Sequence, residues 1–159
     1  MSAPAHSFVH ERTVEFSETD MAGIVHFSNY FRWMESAEHA FFRSLGMTLH
    51  WHEGERMHGW ARVRAECRYR APTRYAERVR VELTVLKKTG TRLAYGARIL
   101  RLDEEGAPTL AAEGELEVVH VVREPGTQRI QAAPMPEQVD AAIALAPPTT
   151  NPAPHPDSA

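Results

Sequence analysis

The sequence predicts an α+β domain in which a five-stranded antiparallel sheet wraps around one long central helix. Three observations carry this. One stretch, from about Ser28 to Leu45, places apolar residues in steps of three and four, the helical period. The segment before it and four segments after it alternate apolar and polar residues with a period of two. Short turn-like stretches join the later segments, and short connections imply antiparallel pairing. A sheet with one apolar face and a helix with a broad apolar stripe bury each other best when the sheet curls round the helix.

The elements follow in order. Phe8 to Phe16 reads as a first strand, with Val14 and Phe16 alternating with Thr13 and Glu15. Ser17 to Gly23 is polar and ends in glycine, as a turn or loop does. In the helix Tyr30, Trp33, Met34, Ala37, Phe41 and Leu45 form one stripe, widened by Phe31, Ala40 and Phe42. Arg32, Glu35, Glu38, His39 and Arg43 fall mostly on the remaining surface. Ser28 or Asn29 can cap the first turn, and Gly46 is a natural stop.

His50 to Gly59, rich in His, Glu and Gly, reads as a loop. In Trp60 to Tyr69, residues Ala61, Val63, Ala65, Cys67 and Tyr69 point one way, and Arg62, Arg64, Glu66 and Arg68 the other. Pro72 breaks the run. Val79, Val81, Leu83 and Val85 give the next inner face, and Lys87 to Thr91, with Gly90, a hairpin turn. Leu93, Tyr95, Ala97 and Ile99 follow, then a turn at Asp103 to Pro108. Ala112, Gly114, Leu116 and Val118 close the series. Glu137 to Leu145 reads as a short final helix. Residues 1–145 are expected to form a single domain. The Pro-rich stretch 146–159 has nothing to bury and is expected to be disordered.

Composition narrows the function classes. A chain of 159 residues, 43% hydrophobic and 25% charged, fits one globular domain with a real core. Its net charge of -3 lacks the basic excess of a general nucleic-acid binder. No apolar run approaches the roughly 20 residues that span a bilayer. Met1 to Ser7 has neither a basic nor an apolar region of the kind a signal peptide needs. The one cysteine, Cys67, permits no internal disulfide, which suits a reducing, cytoplasmic setting.

The block Glu18-Thr19-Asp20-Met21-Ala22-Gly23-Ile24-Val25-His26-Phe27-Ser28-Asn29-Tyr30 resembles the signature of the 4-hydroxybenzoyl-CoA thioesterase family. That family includes the acyl-CoA thioesterases found beside the Tol-Pal genes of bacteria. Its pattern runs roughly Asp-x-Asp-x-x-Gly-(Val or Ile)-Val, then an aromatic pair and a Tyr, then the helix. The resemblance extends over Tyr69 to Pro72 and the later strands, from about Val9 to Val122. It implies the hotdog fold and hydrolysis of an acyl-CoA by a homodimer or homotetramer, with active sites between subunits. Two positions depart from the pattern. Glu18 stands where Asp is usual, and some relatives carry at the position of Phe27 the imidazole that is here at His26.

By this resemblance Asp20 is the catalytic carboxylate, activating a water or attacking the carbonyl directly. The Phe27 backbone N–H is the implied oxyanion donor, where the first N–H groups of a helix lack internal partners. Gly23 would let the backbone approach the thioester. His26 is a further catalytic candidate, and Asn29 and Tyr30 are candidates for positioning substrate, although capping and core packing explain these two as well. Lys87, Lys88 and Arg92, around the hairpin turn, match basic residues that contact CoA phosphates in relatives; a solvated hairpin tip explains them too. His50, His52, Glu53 and His58 match no strong zinc pattern, and no metal or cofactor is expected. This loop is expected to rim the acyl pocket, with Trp51, Met57 or Trp60 adding apolar surface. Cys67 reads as a small core residue rather than a nucleophile. Two other readings share the fold: a non-catalytic module binding acyl thioesters or a partner protein, and an acyl-thioester hydratase or dehydratase. Asp20 and Gly23 argue against the first, and the surrounding block does not resemble the second.

Overall fold

The computed structural model describes residues 2–148, so the expected tail lies, from residue 149 on, outside the described residues. Strand β1 (Ser7–Thr13) leads through a 3₁₀ turn (Phe16–Glu18) to helix α1 (Ser28–Ser44). Then come β2 (His50–Glu53), β3 (Arg56–Tyr69), β4 (Arg78–Lys88), β5 (Arg92–Leu102), β6 (Pro108–Arg123), β7 (Ile130–Ala132) and the short helix α2 (Glu137–Ala142). The strands form one antiparallel sheet in the order β1-β4-β5-β6-β3-β2, with β7 added on β6. The α+β architecture, with the sheet curled round α1, is the expected one.

Its core is the helical stripe set against the alternating strand residues. Trp33, Met34, Phe41 and Phe42 of α1 are fully buried against Val79, Val81 and Leu83 of β4 and Leu93, Tyr95 and Ile99 of β5. Burying a side chain of this size contributes about 1.5–3 kcal/mol. Gly114 of β6 lets the helix seat so closely. A Cβ there would come within 2.4 Å of the Glu66 carbonyl oxygen and 3.0 Å of the Met34 sulfur.

Four expectations are corrected. First, there are seven strands rather than five: His50 to Gly59 is a hairpin rather than a loop, which adds β2, and Ile130–Ala132 pairs with the end of β6, which adds β7. β2 pairs with the first residues of β3, Glu53 opposite Arg56, across a two-residue turn in which Gly54 takes φ 60°. A Gly-X turn is one of the few that joins two strands this tightly. Second, β3 and β4 are not neighbours. β3 pairs with β6, and β4 with β1, so residues 70–77 form a crossing rather than a hairpin. Third, the alternation of β3 breaks at a bulge between Arg62 and Arg64. An extra residue in one strand reverses the facing of everything beyond it. Val63 is consequently exposed, while Arg62 lies opposite buried Val118 and turns inward. Fourth, Glu38 is not a surface residue of α1. It is 1% exposed and hydrogen-bonded by the inward Arg62 guanidinium. The first strand also ends early, at Thr13, and leaves Phe16 exposed in the 3₁₀ turn.

Candidate active site

The connection from β1 to α1 is a folded-back loop with Asp20 at its tip. Thr19 bridges Val25 in antiparallel fashion, and the Asp20 N–H donates to the Ile24 carbonyl at 3.0 Å. Gly23, at φ 75°, closes the turn by donating its N–H to the Asp20 carbonyl at 3.0 Å. One carboxylate oxygen of Asp20, Oδ1, accepts the Ala22 N–H at 2.8 Å. The other oxygen has no partner among the described residues, and the side chain is exposed. The turn thus fixes the carboxyl by one oxygen and presents the other.

Glu18, two residues earlier, is the brace. Its Oε1 accepts from Arg12 at 2.6 Å and from the indole N–H of buried Trp33 at 2.7 Å, and its Oε2 from the Glu15 N–H at 2.8 Å. Its carbonyl accepts the His26 N–H at 2.9 Å and the Asn29 side-chain amide at 2.8 Å. These bonds hold the Asp20 turn against the first turn of α1. Thr73 holds it from the other side. Its carbonyl accepts the Val25 N–H at 2.8 Å, and its hydroxyl lies 2.8 Å from that of Tyr30. The Tyr69 hydroxyl donates to the Phe27 carbonyl at 3.0 Å. Burial pushes the Tyr69 phenol up to about 12 and raises the Tyr30 phenol as well, so both stay neutral at neutral pH.

At the helix start Phe27 has helical angles, φ -52° and ψ -33°. No acceptor among the described residues takes its N–H. The His26 ring turns toward the helix, its Nδ1 lying 2.7 Å from the Ser28 hydroxyl and its plane against the Phe27 ring at 4.4 Å. Phe16, Met21, Phe27, Tyr69 and Tyr75, all exposed, surround the turn with apolar surface.

The basic candidates lie elsewhere. β4, 11 residues long, begins on the side of the Asp20 turn, where Val14 and Thr73 lie, and ends at Lys88. A strand of that length spans about 35 Å. Lys88 donates to the carbonyls of Asp140 and Ile143 and pairs with the Asp140 carboxylate at 2.8 Å, securing the end of α2. Arg92 pairs with Glu117 at 2.9 Å, and Lys87 is exposed. Within one chain, then, Asp20, Gly23, His26, Phe27, Asn29 and Tyr30 come together, and Lys87, Lys88 and Arg92 do not join them.

Three contributors were missed in the sequence: Glu18 as brace, and Tyr69 and Thr73 as anchors. Glu18 carried a signal, as the first acid of the block around Asp20. The other two depend on contacts across 42 and 43 residues of chain. Among the described residues no three His, Cys, Asp or Glu side chains are grouped to hold a metal ion, and no helix is long and apolar enough to cross a membrane.

A family model described as the thioesterase-like superfamily matches residues 14–143. The chain belongs to that superfamily. The match takes in the Asp20 turn, α1 and strands β2 to β7. A 1,4-dihydroxy-2-naphthoyl-CoA thioesterase from Synechocystis superposes with a TM-score of 0.72 at 22% identity, over 86% of this chain and 95% of that one. The 4-hydroxybenzoyl-CoA thioesterase from Pseudomonas sp. strain CBS-3 superposes with a TM-score of 0.73 at 18% identity, over 86% and 99%. At these identities the likeness is one of fold, and that fold is the hotdog. A "Putative esterase" of Aquifex aeolicus (strain VF5) is 56% identical over 39 residues, which span 24% of this chain and 30% of that protein. This thioesterase-family chain therefore has the expected fold and superfamily.

Proposed function

We infer that the protein is a cytoplasmic acyl-CoA thioesterase, hydrolysing an acyl-CoA to the free acid and CoA. The observation that carries this is a pair of unpartnered groups on adjoining backbone segments, the second carboxylate oxygen of Asp20 and the Phe27 N–H. Thioester hydrolysis needs that pair. Asp20 takes a proton from water as the hydroxide adds to the carbonyl carbon. The N–H at the helix start, where the dipole favours negative charge, donates to the oxygen that becomes an oxyanion. Collapse of the intermediate breaks the C–S bond, and the proton held by Asp20 passes to the departing thiolate. Direct attack by Asp20 would form an anhydride that water then opens, with the same products. A positioned base is worth ~10²–10⁴-fold, and one oxyanion donor about 10²–10³-fold.

The active unit in this reading is a homodimer or homotetramer with its sites between copies. β2 covers β3 only from Arg56 to Gly59, so the rest of that edge, to Tyr69, is an unpaired row of backbone groups. An open edge is a template for a second strand. A second copy there would also cover apolar surface beside the Asp20 turn, and could bring its own Lys87, Lys88 and Arg92 toward the CoA phosphates. His26, Asn29 and Tyr30 position the helix start, and Gly23 keeps the approach to Asp20 open.

The test is release of free CoA thiol from a panel of acyl-CoAs by wild type and Asp20→Asn. Hydrolysis lost at least a hundredfold in a folded variant is the expected result. Wild-type inactivity on both CoA and carrier-protein thioesters would sink the reading.

A further inference from the structure

A backbone donor is only as good as its direction, and α1 does little to fix that of the Phe27 N–H. The residue at its N-cap is Phe27 itself, and no side chain caps the helix there. Helix starts of this kind fray, because their first N–H groups have no internal partners. Within the turn the Asn29 N–H donates to the His26 carbonyl at 3.0 Å, but the Tyr30 N–H reaches the Phe27 carbonyl only at 3.4 Å. What ties Phe27 to the sheet is the Tyr69 hydroxyl, which donates to the same carbonyl at 3.0 Å. Among the described residues it is the one hydrogen bond that reaches the Phe27 backbone from outside α1.

Tyr69 is held so that it can serve as a fixed point. It is the last residue of β3, whose register against β6 runs unbroken from Arg64 to Tyr69. Its ring meets that of Tyr30 edge-on at 5.2 Å, and Tyr30 is buried with its hydroxyl 2.8 Å from that of Thr73. Burial, with the Cys67 thiol and Tyr30 nearby, keeps the Tyr69 phenol at about 12, so its proton stays on the oxygen. The ring packs and the hydroxyl directs. Only two soft torsions lie between the peptide plane that bears the Phe27 N–H and the plane that bears its C=O. Holding the carbonyl therefore restrains the N–H.

We propose that Tyr69 is a positioning residue, whose hydroxyl holds the Phe27 carbonyl and so aims the Phe27 N–H at the oxygen that becomes the oxyanion. Tyr69 acts through Phe27 and does not touch the substrate. Its effect falls on the step in which charge develops, and so on kcat. The inference rests on the thioesterase reading and adds a residue to its oxyanion donor.

Tyr69→Phe keeps the ring against Tyr30 and removes only the hydroxyl. Its kcat, KM and melting temperature would be compared with wild type, on the acyl-CoA that wild type hydrolyses fastest. We expect kcat to fall about tenfold, a part of the roughly 10²–10³-fold that a whole donor is worth. KM should stay within about twofold, and melting temperature should hold. A vibrational readout separates direction from packing. With the same acyl-CoA bound to Asp20→Asn, the Raman band of the thioester carbonyl reports how strongly a donor polarises it. Adding Tyr69→Phe should move that band to higher wavenumber. A kcat within about twofold of wild type, or an unmoved carbonyl band, overturns the proposal. So does a rise in KM with kcat kept, which would put the hydroxyl on the substrate. A lowered melting temperature overturns it as well, by making Tyr69 part of the scaffold. Each of these outcomes leaves the hydrolase reading standing. Wild-type silence on every CoA and carrier-protein thioester overturns that reading, and this inference with it.

Discussion

The two ends of the sheet that wraps α1 are finished differently. At the end holding β2, β7 and the turn between β4 and β5, rings are stacked and closed over, and among the described residues the buried His58 Nε2 and Trp60 Nε1 are left without a hydrogen-bond partner. Trp51 lies on His58 with centroids 4.7 Å apart, and His120 continues the stack at 5.4 Å from His58. His120 is 2% exposed, its Nδ1 lying 2.8 Å from the Pro134 carbonyl, and Lys88 secures α2. At the other end the Asp20 turn is equally well held from behind but open in front. Among the described residues a carboxylate oxygen and an N–H lack partners there, beside exposed Met21 and Phe27. The closed end completes the fold. The open end leaves the kind of surface that a substrate or a second copy covers.

The largest expected effect breaks this contrast at its centre. Asp20→Asn keeps an oxygen for the Ala22 N–H and changes only the presented atom, so thermal stability should hold while thioester hydrolysis falls by about a hundredfold or more. A matching fall in melting temperature would instead make Asp20 part of the scaffold. Glu18→Ala should do the reverse. It strands the buried Trp33 indole N–H and removes two further bonds, and each stranded buried group costs about 1–3 kcal/mol. We expect about 2–4 kcal/mol lost by urea denaturation, with activity falling because the turn loosens. Unchanged stability would remove Glu18 from its bracing role.

Much of this contrast could be read before any coordinates, and the unread parts share a cause. The stripe of α1, the later strands and the block around Asp20 are local patterns, and local patterns survive in sequence. Glu38 followed the same logic but was missed, since Met34, Ala37, Glu38 and Phe41 step through the buried stripe at three, one and three. The bulge at Val63 carried no such mark, because an inserted residue shows only when a strand is laid beside its partner. The hairpin at Gly54 was hidden by polar composition, although Gly-X between alternating residues was available as a signal. Tyr69 and Thr73 serve the site through distant contacts, which no spacing rule reports.

Acid should weaken the closed end first. Burial holds the His120 imidazole below its ordinary value, the Pro134 and Ala133 carbonyls opposing this in part. The unfolded chain binds a proton there near pH 6.5, the ordinary value of an imidazole. The folded chain resists until a lower pH, so the unfolded state binds more protons in between. The stability contribution is therefore complete above about pH 6.5 and is lost as pH falls through the folded value. Melting temperature followed from pH 7.5 to 5 should drop less steeply in His120→Gln than in wild type. Parallel profiles would show that His120 is not the group responsible.

The smallest effect sharpens what the closed end would contribute to the site of a second copy. Lys87 is exposed, whereas Lys88 and Arg92 are already paired. Of the three, Lys87 is the one free to meet a phosphate without giving up a bond. Lys87→Ala should leave stability within about 0.5 kcal/mol, as surface changes usually do. It should raise KM for an acyl-CoA about threefold, an exposed ion pair being worth under about 1 kcal/mol. Added salt should erase the difference by screening the contact. An acyl-pantetheine, which lacks the nucleotide phosphates, should be hydrolysed equally well by variant and wild type. A defect that persists with the pantetheine or in high salt would mean that Lys87 acts on the fold of the hairpin rather than on the charge of the CoA phosphates.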